Sequence, residues 1–128
     1  MREILSSPNL PAPQFRYSAF IKAGPFYYTA GMIALDMKTQ KMLNGSFEEE
    51  SKRILENLVG ALPDFDLSLE NLITAKIYTT DLGEFAQINK VWEEYFPGGI
   101  TPPTRTSIGV ASLPLDAKVE MEFVLYKP

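Results

Sequence analysis

Residues 118–127 read Lys118-Val119-Glu120-Met121-Glu122-Phe123-Val124-Leu125-Tyr126-Lys127. Val119, Met121, Phe123 and Leu125 alternate with Glu120, Glu122, Val124 and Tyr126, and a period of two places each set on its own face of a β-strand. The wholly apolar set belongs against a core. The mixed set faces outward from it.

The segments upstream supply the layer that such a strand needs. Thr104 to Ala111 alternates as a second strand before the Leu113-Pro114 turn, with Arg105, Ser107 and Gly109 on one face. Thr106, Ile108 and Val110 share the other face, which is expected to be the core side. Leu72 to Thr80 has strand composition, with Ile73, Ala75 and Ile77 alternating against Thr74, Lys76 and Tyr78. Between these two strands, Asp81 and Glu84 form a cap-like pair before Phe85, Ile88, Trp92 and Phe96, which recur on one helical face until Pro97-Gly98-Gly99 stops it. Phe85, Trp92 and Phe96 are expected in the core.

Further upstream, Ser46 and Glu49 make a capping box, and Phe47, Ser51, Ile54, Leu55, Leu58 and Leu62 mark the buried stripe of another helix. Ser18 to Lys22 and Phe26 to Ala30 flank Ala23-Gly24-Pro25 as a hairpin, and a short strand is expected at Glu3 to Ser6. The prolines at 8, 11 and 13 remove ladder donors and make that stretch a loop. The order hairpin, helix, strand, helix, two strands predicts one domain over residues 1–128, an α+β sheet with both helices on one face. Apolar residues on the opposite face must then meet solvent or another subunit, so oligomerisation is expected.

Composition narrows the chemistry. The 128 residues contain neither cysteine nor histidine, which excludes disulfides, thiolate nucleophiles, Ser-His triads and imidazole metal sites. Carboxylates, Arg, Lys, Tyr, hydroxyls, backbone and water remain. A formal charge of −4 gives no attraction to phosphates, so no nucleic-acid partner is expected. No apolar run reaches the roughly 20 residues that span a bilayer. The N-terminus lacks the pattern of a secretory signal, and a cytoplasmic location without membrane attachment is expected.

On these strands Arg105 and Glu120 are both expected to line a polar surface beside the sheet. A guanidinium grips a carboxylate through two parallel hydrogen bonds, and a carboxylate orients or deprotonates water, so the pair suggests hydrolysis of an anionic substrate. A cross-strand ion pair on a solvated face fits the same spacing.

Pro103-Thr104-Arg105-Thr106-Ser107-Ile108-Gly109, then Leu113-Pro114, then Val119-Glu120-Met121-Glu122 resembles the C-terminal signature of the reactive-intermediate deaminase (Rid) family, also called the YjgF/YER057c/UK114 or endoribonuclease L-PSP-like family. Tyr17, Thr29-x-Gly31, Glu56-Asn57-Leu58 and Asp81-Leu82-x-x-Phe85-Ala86-x-x-Asn89 follow the same pattern. The resemblance implies a chorismate-mutase-like subunit of the bacillus type, assembled as a homotrimer with sites in the clefts between subunits. It also implies cofactor-free hydrolysis of 2-imino or enamine acids to 2-keto acids and ammonia, in the manner of a 2-iminobutanoate/2-iminopropanoate deaminase. Arg105 would bind the substrate carboxylate and Glu120 would position the attacking water. Tyr17 would close the pocket, Gly31 would leave room for the ligand, and Asn89 and Ser107 would contact it.

Each residue also has a structural reading: Tyr17 as a half-buried aromatic, Gly31 as a hinge, Asn89 as a partner of a neighbouring loop. Several positions depart from the family pattern. Ala30 and Met32 stand in place of serine and glutamine, Phe15-Arg16-Tyr17 in place of Gly-Pro-Tyr, Thr106 in place of serine, and Ser107 where many members have cysteine. A shifted or more apolar substrate range is expected from them. The competing expectation is a non-catalytic protein of the same fold that binds or senses a small keto acid.

Overall fold

The computed structural model describes all 128 residues. Six strands, β1 (Arg2–Leu5), β2 (Phe20–Ala23), β3 (Phe26–Thr29), β4 (Leu72–Thr79), β5 (Thr104–Gly109) and β6 (Val119–Tyr126), form one mixed sheet in the order β1-β2-β3-β6-β4-β5. Two helices, α1 (Phe47–Ala61) and α2 (Phe85–Tyr95), pack on a single face. The expected α+β architecture is present, and the strand quoted first lies inside the sheet, antiparallel to both β3 and β4.

Local chemistry explains each element. Gly24 takes a left-handed φ of 58° in the turn between β2 and β3, where a Cβ would cost strain. The Ser46 hydroxyl accepts from the Glu49 amide at 3.0 Å, and the Glu49 carboxylate accepts from the Ser46 amide at 3.0 Å, closing the predicted capping box. Such a cap contributes about 1 kcal/mol. Asp81 caps a short 3₁₀ turn, Leu82–Glu84, that leads into α2.

The core lies between sheet and helices. Val119, Met121, Phe123 and Leu125 are essentially inaccessible, facing Ile54, Leu55 and Leu58 of α1 and Ile88 and Val91 of α2. Burying such side chains contributes about 1.5–3 kcal/mol each. Fully buried Glu50 of α1 accepts from the Lys118 amide at 2.8 Å, and its other oxygen lies 3.7 Å from the Lys118 ammonium. That contact fixes the entry of β6. Asn57 donates to the Leu35 carbonyl at 2.8 Å and pins the 33–42 segment to α1.

Two expectations need correction. Ile73 is 41% exposed because a bulge between Leu72 and Thr74 breaks the alternation of β4. More important, Thr106 and Ile108 are not core. All six residues of β5 are exposed, because β5 is an edge strand at the rim of the helix layer.

The register sorts the faces. Arg105 and Ser107 lie opposite Ala75 and Ile77 and share the helix side, whereas Thr104, Thr106 and Ile108 lie opposite Thr74, Lys76 and Tyr78 on the open side. The open side carries an apolar row through Ile4, Ile21, Tyr28 and Val124, in which Ile4 is 72% and Tyr28 47% exposed. Phe26 and Tyr126 stack beside it with ring centroids 5.1 Å apart. No helix is long and apolar enough to cross a membrane.

Candidate active site in two halves

The first half lies where β5 meets α2. Arg105 projects from β5 toward the helix side, and its guanidinium carbon sits 5.2 Å from the ring centroids of both Phe85 and Trp92. These rings are seven residues apart on α2, two turns, and so present a common wall. They bury part of the guanidinium, which lowers its pKa, while the Glu93 carboxylate acts in the opposite sense. The side chain stays cationic, and the molecule's ion pairs, Lys90–Glu48, Lys118–Glu50 and Lys127–Asp66, do not include it. A guanidinium laid on aromatic faces with no carboxylate partner is suited to bind an anion. Ser107 follows on the same face of β5, and half-buried Asn89 lies one turn after Phe85 on α2.

The second half lies on the open side, at β6 and the chain just after β3. Met32 and Met121 exchange two backbone hydrogen bonds, 2.7 and 2.9 Å, which hold residues 30–32 against β6. Gly31 thereby abuts Glu120 so closely that an added Cβ would lie 1.9 Å from Glu120 Oε2. Its φ is not left-handed, so the glycine is required by space and not by backbone freedom. Tyr17, 52% exposed, lines one recess with Ala30, Gly31, Met32, Leu10 and Pro11. The only hydroxyl on this wall belongs to Tyr17.

Glu120 is half-buried. Burial pushes its carboxyl above the ordinary value, and the Glu122 charge two residues on pushes the same way. A carboxylate so placed takes a proton from water more readily than a solvated one.

Arg105 and Glu120 do not line one surface of the chain. β4 separates their strands, and Glu120 lies opposite Tyr78 on the open side while Arg105 lies opposite Ala75 on the helix side. The expectation of a shared surface failed because it assigned faces without knowing which strands are neighbours. Gly31 abuts Glu120 and shares a recess with Tyr17, while Ser107 lies on the Arg105 face of β5 and Asn89 on α2 between the two rings that flank Arg105.

Four participants were not expected. Phe85 and Trp92 cradle Arg105 as well as packing inward, and their i, i+7 spacing across from an arginine strand was the available signal. Tyr78 and Glu122 flank Glu120. The alternation already placed Glu122 on its face, but pairing with Tyr78 depends on register.

Known proteins share this arrangement of elements. The endoribonuclease L-PSP family model matches residues 7–126. A RutC family protein of Pyrococcus horikoshii is 36% identical over 127 residues, spanning 99% of each chain. The chloroplastic Reactive Intermediate Deaminase A of Arabidopsis thaliana is 30% identical over 123 residues, 96% of this chain and 65% of that protein. Among solved structures, E. coli TdcF with bound serine superposes with a TM-score of 0.90 at 28% identity, covering 98% of this chain and 99% of that one.

Proposed function

We propose, from the premise that this chain belongs to the endoribonuclease L-PSP (Rid) family, that it hydrolyses 2-imino or enamine acids to 2-keto acids and ammonia as a homotrimer, at sites completed between subunits. The observation that carries the reading is the division of the candidate residues between two sheet faces. A small acid touching both Arg105 and Glu120 needs the Arg105 half of one copy against the Glu120 half of another.

The uncovered apolar row on the open side supplies the surface for that contact, and exposed edge strand β5 brings Arg105 to the rim. In the assembled cleft Arg105 holds the substrate carboxylate through paired N–H donors. Glu120 takes a proton from water, whose oxygen adds to the imine carbon. With the imine protonated at the outset, the carbinolamine nitrogen then receives that proton from Glu120. The C–N bond breaks as the hydroxyl O–H pair forms the keto group, the hydroxyl proton passes to the freed Glu120 carboxylate, and ammonia leaves. Tyr17 caps the pocket, Gly31 leaves space beside Glu120, and Asn89 and Ser107 orient the substrate. Positioning two reactants and relaying protons through one carboxylate is sufficient for an electrophile as reactive as an imine. No cofactor takes part in this scheme.

The reading has a direct test. Arg105→Ala and Glu120→Gln are each expected to be inactive on freshly generated 2-imino acids. Unfolded and refolded together in equal amounts, they should regain about a quarter of wild-type activity, the fraction of intersubunit sites with both halves intact in randomly mixed trimers. Continued inactivity in mixed trimers that form normally would overturn the shared site.

A second reading has support in the serine-bound TdcF structure. The same clefts would hold a small carboxylate as a sensor, and the protein would bind keto acids yet leave ammonia release at its spontaneous rate.

A further inference from the structure

Glu120 does not stand alone on the open side. Glu122 follows on the same face of β6, roughly 7 Å along the strand. Tyr78 of β4 lies directly opposite Glu120, and Lys76 directly opposite Glu122. The Tyr78 hydroxyl reaches diagonally and donates to Glu122 Oε1 at 2.5 Å. Two carboxylates and a phenol therefore share one patch of sheet, and the phenol has chosen the carboxylate that is not against Gly31.

That choice has physical consequences. The Tyr78 ring stands across from Glu120, while the backbone at Gly31 closes the opposite flank with its Cα against the carboxylate. The hydrogen bond holds the Glu122 carboxylate on the sheet, where a free glutamate would swing into solvent and be screened. The negative charge thus stays beside Glu120. Of the charged groups around it, Lys76 makes no ion pair with either glutamate, and the Lys118 ammonium is drawn to Glu50 on the far side. Residues 30–32 bring no charge, and of the side chains lining that recess only Tyr17 carries an ionisable group. Within one subunit no cation neutralises the pair, and the Arg105 guanidinium that the proposed cleft adds from a neighbouring copy acts the other way equally in the wild type and both variants.

We propose that Tyr78 and Glu122 form a positioning pair that holds a fixed negative charge beside Glu120, so that Glu120 both accepts the proton of the attacking water and returns it to the departing nitrogen. This deepens the deaminase reading and rests on it. A solvated carboxylate gives up a proton too readily to retain it until the C–N bond breaks, whereas one with a like charge nearby and little water retains it longer. The bond to Glu122 and the nearby charges push the Tyr78 hydroxyl up to about 12, so the phenol stays protonated and keeps donating.

The experiment follows the Glu120 carboxyl itself. Its ¹³C resonance, assigned by its loss in Glu120→Gln, is titrated in the wild type, Glu122→Gln and Tyr78→Phe without substrate. Glu122→Gln removes the charge and keeps the shape. It should move the Glu120 midpoint to lower pH, shift the acidic limb of the hydrolysis profile the same way, and lower kcat near neutrality roughly three- to tenfold with KM unchanged. Tyr78→Phe keeps both charges but frees Glu122, and should shift the midpoint in the same direction by less. A Glu120 midpoint unmoved in both variants, or raised in Glu122→Gln, overturns the pair. If the midpoint moves as stated but even the wild type releases no ammonia, the electrostatic pairing stands and the deaminase reading fails instead.

Discussion

The two faces of the sheet are built from the same alternating strands and do opposite work. On the helix side, Val119, Met121, Phe123 and Leu125 are sealed into the core, and at edge strand β5 Arg105 emerges beside the aromatic wall of α2. On the open side the same strand β6 presents Glu120 and Glu122, next to an apolar row without cover. One face completes the fold; the other is left uncovered within the subunit. The cation lies on the covered face and the carboxylates on the open one, so under the proposed function this arrangement would couple chemistry to assembly.

The strongest way to break that comparison is Arg105→Ala. Removing the only guanidinium of the helix-side half should lower kcat/KM on every 2-imino acid by roughly 10²- to 10³-fold, because a charge-assisted bidentate contact is lost. Steady-state ammonia release on several acids checks it. A substrate-dependent loss would mean that the arginine sorts side chains and does not hold the shared carboxylate.

Next in size, Val124→Glu places a charge at the β6 end of the open apolar row. Sedimentation should then show monomers in place of trimers, with activity falling together with assembly and helix content unchanged. Retained trimers would move the interface off the open face.

Smaller effects sharpen the picture. The loop that delivers β6 to the sheet has two consecutive left-handed non-glycine residues, Leu115 (φ 55°) and Asp116 (φ 57°), and Asn44 steadies it by donating to the Leu115 carbonyl at 3.2 Å. Asp116→Gly should stabilise the fold by about 1 kcal/mol, since glycine adopts this region without the Cβ clash. Denaturant unfolding measures the gain.

The smallest effect concerns Glu120 itself. Its folded pKa is raised, so between the unfolded and folded values the native state binds more protons. Stability therefore falls as pH rises through that window. Glu120→Gln should accordingly be slightly more stable than wild type at neutral pH, by less than about 1 kcal/mol given the group's partial exposure, and equal to it well below pH 4. The carboxylates of Asp36 and Glu49, held low chiefly by backbone amides, act in the opposite sense. Their contribution is present above their unfolded values and is lost as pH falls through the folded ones.

Much of the fold was legible because it rests on local rules. The capping box at Ser46 and Glu49, the turn at Gly24 and the helical stripe from Ile54 to Leu62 follow from side-chain chemistry within a few residues, and each stands where the pattern places it. The alternation of β6 also held. It failed on β5, where the face with Ile108 looks apolar enough for a core: alternation records which residues share a face, not which face is covered. The motifs named Arg105, Glu120, Gly31 and Tyr17 as candidates, but neither the separation of Arg105 from Glu120 nor the place of Tyr78 beside Glu120 could be read from them.

Residue order thus determined the elements, the buried face of the central strand and the residue types that remain for chemistry without cysteine or histidine. Only the tertiary structure decided that β4 stands between β5 and β6. Strand neighbours are chosen by long-range packing, in which α2 carries the chain across from β4 to a parallel β5 while β6 inserts between β3 and β4. That choice, invisible in any local window, sends Arg105 and Glu120 to opposite sides of the sheet.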